Sequence, residues 1–157
     1  MKKNFEKLAL PKRRLLLISS CIFFINACEA KPMRVILDIV VFSYLNRPIF
    51  EVEVDGKGDE SSGVYPQTGK STTTGVELLL GPKKVTWRLD GPQGTARNGE
   101  MVSNKNNLRL DDVIPSAKFL AIHIYPDESV ELITSVHFPQ LSTRGETEVR
   151  KMSKQHG

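Results

Sequence analysis

The stretch Phe119-Leu-Ala-Ile-His-Ile-Tyr125, Pro126-Asp-Glu128, Ser129-Val-Glu-Leu-Ile-Thr-Ser135 decides the fold. Successive side chains of an extended chain point to opposite faces. Leu120, Ile122 and Ile124 therefore share one face of the first segment, and Val130, Leu132 and Thr134 share one face of the second. A proline and an acidic pair between them supply turn chemistry, so the whole reads as a β-hairpin with alternating burial.

Working toward the N-terminus, the same grammar recurs. Residues 34–44, Arg-Val-Ile-Leu-Asp-Ile-Val-Val-Phe-Ser-Tyr, are rich in β-branched and aromatic side chains. Asn46-Arg-Pro48 interrupts this run, because proline has no N–H to give a ladder. Ile49 to Val54 alternates and puts Glu51 and Glu53 on a wet face, and Asp55-Gly56-Lys57-Gly58 closes the strand. Val76–Leu80 and Val85–Leu89 flank Gly81-Pro82-Lys83-Lys84 as a further hairpin. Residues 90–115 carry Gly91-Pro92, Gly94 and Asn104 to Asn107 and read as a long exposed excursion. Short strands punctuated by Gly, Pro and Asp predict an all-β fold. The expected form is an antiparallel sandwich, Ig-like or a partly open barrel, after an N-terminal signal helix.

That signal is the second informative stretch. Lys2, Lys3, Lys7, Lys12, Arg13 and Arg14 precede an apolar run from Leu15 to Ala27, which ends at Cys28. A basic segment, a short apolar segment and a small residue before the cut form an export signal. The run has 13 residues, short of the ~20 that span a bilayer core. Ile25-Asn26-Ala27 before Cys28 resembles the box read by lipoprotein signal peptidase, which predicts lipidation at Cys28. Cys21 after Ile18-Ser19-Ser20 is a competing site, and cleavage near Ala30 without lipid is a third reading. Glu29 rather than aspartate after the cysteine favours the outer membrane. The expected organisation is a signal peptide at 1–27, a lipidated tether at 28–33, a β-sandwich domain at 34–140 and a polar C-terminal tail at 141–157. The tail reads as frayed or as one weak helix.

The border at Cys28 also rewrites the electrostatics. The 157-residue chain has 22 basic and 18 acidic side chains, a formal charge of +4. Residues 1–27 take six of the basic and one of the acidic groups, so the remainder carries 16 and 17 and is close to neutral. The basic character belongs to the signal and gives no reason to expect nucleic acid as a partner. Both cysteines, Cys21 and Cys28, lie at or before the cut, so no disulfide is expected in the exported domain.

Candidate chemistry is sparse. Gly63-Val-Tyr-Pro-Gln-Thr-Gly69-Lys70-Ser71 resembles a phosphate loop, but it has five residues between its glycines where that loop needs four. A polar loop is the simpler reading. His123, His137 and His156 lack the thiols and spacing of a zinc site, so no metal and no cofactor are expected. A Ser–His–Asp hydrolase drawn from His123, Asp127 and nearby serines has no nucleophile-elbow pattern behind it, and no catalytic residue is assigned. Trp87 reads as core, and Tyr44, Tyr65 and Tyr125 read as either core or interface. Lys83-Lys84 and Asp111-Asp112 read as solvated turns.

One resemblance goes further. Ser43-Tyr-Leu-Asn-Arg-Pro-Ile49, with Val85-Thr-Trp-Arg88, Leu120-Ala-Ile-His-Ile-Tyr-Pro-Asp127 and Ser129-Val-Glu131, resembles a family of small bacterial lipoproteins classed as a domain of unknown function. Arg47, Pro48 and Ile49 match its motif, while Leu45-Asn46 depart from it. The likeness spans roughly residues 15–140 and lacks a central cysteine pair that some members carry. Genes of that family often neighbour type VI secretion phospholipase effectors. The resemblance therefore implies a non-catalytic immunity lipoprotein, anchored facing the periplasm, that neutralises a cognate lipase. The alternative is an envelope structural or assembly lipoprotein. Recognition is expected from loops 55–75 and 90–115, since loops on a scaffold commonly carry binding.

Overall fold

The computed structural model describes residues 33–155. The elements in chain order are β1 (Arg34–Ser43), β2 (Ile49–Val54), β3 (Lys57–Ser62), β4 (Thr73–Leu79), β5 (Gly81–Lys83), β6 (Val85–Leu89), β7 (Met101–Ser103), β8 (Leu108–Leu110), β9 (Phe119–Ile124), β10 (Val130–Ser135) and α1 (Thr143–Gln155). One sheet runs β10-β9-β1-β4 and a second runs β3-β2-β6-β7, with β5 and β8 forming a separate two-stranded ribbon. The fold is thus mostly β and sandwich-like. Its first sheet is mixed rather than purely antiparallel, because β1 and β9 lie parallel from Asp38–Phe119 to Ser43–Ile124. Parallel neighbours need a long crossover, and here the entire second sheet is threaded between them.

The expected hairpin is present, with β9 and β10 paired antiparallel from Ile124–Val130 to Phe119–Ser135. Leu120, Ile122 and Ile124 face the inter-sheet core with Leu37, Ile39 and Val41 of β1, Val52 and Val54 of β2, and Trp87 of β6. Trp87 is fully buried there, its indole N–H without a partner among the described residues. Asp55 and Gly56 both have positive φ, which makes the two-residue turn between β2 and β3 the kind that Asp-Gly favours.

Several expectations fail for identifiable reasons. The 76–89 hairpin does not form: β4 pairs with β1 in one sheet and β6 with β2 in the other, so Gly81–Lys83 is a crossing between sheets. It pairs with β8 on the way. Lys83 is not a solvated turn residue either, because its buried ammonium meets Asp55 at 2.7 Å. Residues 57–62 are strand β3 despite their polarity, since β2 supplies a ladder to join. The 90–115 excursion contains β7 and β8 and buries Val102, Leu108 and Leu110. In β2 the alternation breaks at Glu51, where φ is 49° and the registers with β3 and β6 both slip. This bulge lets Ile49, Val52 and Val54 all face inward.

Of the two readings of the C-terminal tail the helix is the one found, as α1 (Thr143–Gln155), and what the sequence did not show is that it docks on the sheet. Ser142 caps it by accepting a hydrogen bond from the Gly145 amide at 2.9 Å, with Glu146 in the first turn and Lys154 in the last. The helix covers the outer face of the first sheet, where Val40, Phe42, Tyr44, Ala121 and Tyr125 make a second apolar cluster with Leu141, Val149 and Met152 at its margin. β9 is therefore buried on both faces rather than one.

Candidate functional site

Strand register gathers four connections at one end of the sandwich. Ile49 pairs with Ser62 on one side and Leu89 on the other, so the loops after β3 and β6 leave beside the start of β2. Parallel β1 and β9 end together, which brings segment 44–48 and turn 125–129 to the same pole. The expected loops shrink accordingly to residues 63–72 and 90–100.

Polar side chains pin each of these segments. Arg47 donates from Nε to the Asp90 carbonyl and from Nη1 to the Ala96 carbonyl, both at 2.8 Å. Pro48, next in the chain, accepts from the Asp90 amide at 3.0 Å. The Arg-Pro pair thus holds the 90–98 loop. Thr68 is the buried anchor of the other loop: its hydroxyl oxygen accepts from the Ser43 amide at 2.6 Å and lies 2.7 Å from the Ser62 hydroxyl. Gly69, at φ 67°, lies so close to the Phe42 ring that any Cβ would enter it. Arg97 bridges Glu100 at 2.7 Å and Glu128 at 3.3 Å, and Lys105 meets Glu128 at 2.9 Å. The hydrogen bonds from Arg97 and Lys105 hold the Glu100 and Glu128 carboxyls, respectively, below the usual range. Arg144 of α1 donates to Asp127 at 2.9 Å and to the Ser129 hydroxyl at 2.8 Å, with its guanidinium 3.7 Å above the Tyr125 ring. Asp127 is drawn down to about 2, first because the Ser129 hydroxyl donates to it. Val64, Tyr65 and Met101 are exposed apolar groups in or beside these segments.

Behind this surface lies a buried aromatic ladder. Phe42, His123, Tyr44 and Tyr125 stack in turn, with centroid separations of 4.9, 6.0 and 5.0 Å. His123 Nδ1 is 2.9 Å from the Tyr44 hydroxyl, and its Nε2 has no partner among the described residues. Burial brings His123 down to about 4 and raises Tyr44 to about 12. Tyr125 donates to Glu131 at 2.6 Å and lies 2.7 Å from the Ser142 hydroxyl, which joins the ladder to the cap of α1.

The paper hydrolase is not assembled, because His123 is committed to Tyr44 while Asp127 is committed to Ser129 and Arg144. His137 is exposed, and among the described residues no group of three or more His, Cys, Asp or Glu side chains converges as metal ligands. The 63–69 glycine loop leads into strand β4, not a helix. Cys21, Cys28 and His156 lie outside the described residues, as does the expected signal helix. Arg47 carried a signal in the sequence through its motif; Thr68 and Arg144 carried none, since their partners are remote in the chain. Comparisons with protein-family models, curated proteins and solved structures returned no match.

Proposed function

We propose that the chain is a periplasm-facing lipoprotein, anchored through Cys28, that binds and occludes a cognate lipase. The observation that carries a binding role is the pole of pinned loops. Loops already held by Arg47, Thr68 and Arg97 lose little further entropy on association, which favours affinity. A typical inhibitor interface needs about 800 Å² per partner, within the reach of four adjoining segments. The lipase as target comes from the family resemblance alone. Co-expression of the full chain with a lipase encoded beside it, directed to the periplasm, tests this reading. Rescue of growth is expected. Persistent toxicity with the protein fully expressed overturns the lipase assignment.

A further inference from the structure

The opposite pole carries a different surface. β1 begins four residues before its pairing with β9, so Arg34 to Leu37 extend past the end of that neighbour. The 111–117 segment lies beside this overhang and leaves an open groove of about 480 Å³, lined by Met33, Val35, Leu37, Val113, Ile114 and Ala117 with Asp111 and Asp112 among them. Met33 and Ile36 are 65% and 68% exposed and Ile114 is 46% exposed. Two further exposed apolar groups adjoin them: Leu79, paired with Arg34, and Phe138, edge-on to Phe119. Five of the nine large exposed apolar side chains among the described residues thus crowd this end. A soluble surface has no use for such a cluster unless something covers it.

Chain connectivity says what does. Met33 is five residues from Cys28, and five residues span at most about 18 Å even when fully extended. We propose that this groove-bearing pole rests on the phospholipid bilayer, with Met33, Ile36 and Ile114 in the headgroup–acyl boundary. The lipid at Cys28 supplies the affinity, and the apolar pole fixes the orientation. β1 would then stand off the membrane, carrying the loop pole outward by its nine steps of about 3.3 Å each. On the groove wall Asp111 is paired with Arg109 at 2.7 Å and Asp112 adds a further carboxylate, so this wall has no excess of positive charge to attract anionic headgroups and the proposed contact is apolar rather than electrostatic.

The inference rests on the reading of Cys28 as the acylated residue, and its test separates the two. Once Cys28 is acylated the mature chain has no other thiol, so single cysteines can be introduced cleanly. Full-length lipidated protein bearing Ile114→Cys, Ile36→Cys or Thr95→Cys is spin-labelled and reconstituted in vesicles of phosphatidylethanolamine and phosphatidylglycerol. Labels at 114 and 36 should be several-fold less accessible to a water-soluble paramagnet than the label at 95, and correspondingly more accessible to oxygen. Equal accessibility at all three, with acylated Cys28 confirmed by mass spectrometry, overturns the orientation and leaves the anchor intact. Label–label broadening at 114 that grows with protein density overturns it in favour of a second copy. A product without acyl chains overturns both readings.

Discussion

His123 links burial to pH. Its imidazole sits between the Phe42 and Tyr44 rings with no exposure, and burial lowers its pKa from 6.5 to about 4, only partly opposed by Glu131. The folded state therefore favours the neutral ring, and the unfolded chain takes up the proton first as pH falls. Stability from this group is complete above about 6.5 and is lost between 6.5 and about 4, by up to about 3 kcal/mol. Urea midpoints measured across that window should fall for the native chain and fall less for His123→Phe; parallel curves would contradict the assignment. Gly145 offers a second test, with an inverted sign. Alanine in a helix normally gains about 1 kcal/mol over glycine. Here a Cβ would collide with the Tyr44 hydroxyl and ring, so Gly145→Ala should cost about 1–3 kcal/mol in thermal or urea unfolding. A stabilised variant would mean that α1 is not docked where it is described. Neither residue announced this in the sequence, because His123 and Gly145 become informative only when Tyr44, 79 and 101 positions away, meets both.

At the scale of elements, what was legible depended on whether the determinant was local. The β9–β10 hairpin follows from alternation and a three-residue turn, and the two segments do pair antiparallel. The Asp55-Gly56 turn was equally plain. Strand β3 was not, because Lys-Gly-Asp-Glu-Ser-Ser has no strand propensity and is held by its neighbour β2. The tail was legible only as frayed or weakly helical for the converse reason: α1 is polar overall and owes its place to Val149 and Met152 packing against the aromatic cluster. A usable signal was the unbroken apolar run Ile39–Phe42, which marks a strand buried on both faces and therefore demands a second cover. The candidate site was legible only in part: the expected loops 55–75 and 90–115 include the connections 63–72 and 90–100 but also strands β3, β7 and β8, and the side chains that anchor the connections were not foreseen. Arg47→Lys should expose the difference, since lysine cannot reproduce the forked contacts to Asp90 and Ala96. Amide exchange across 90–98 should accelerate roughly tenfold, the equivalent of about 1.4 kcal/mol, while β9 stays unchanged. Equal rates in both chains would remove Arg47 from its role.

At the scale of the molecule, the two proposals place different roles at the two ends of β1. One end meets the groove beside Met33, and the other meets the loops held by Arg47, Thr68 and Arg97. Cys28→Ser should move the protein from the membrane fraction to a soluble or uncleaved form, read by fractionation and mass spectrometry of the N-terminus. An unmodified native product starting at Lys31 would contradict the anchor. The proposed binding role is tested most directly by titrating the full-length protein in detergent against any phospholipase encoded by a neighbouring gene, with phospholipid hydrolysis as the readout. The account predicts stoichiometric inhibition by the native chain, loss of inhibition by Tyr65→Ala combined with Arg97→Glu at the loop pole, and full inhibition by Lys84→Ala away from it. Undiminished hydrolysis at excess native protein, or inhibition that survives the loop-pole substitutions, would contradict it.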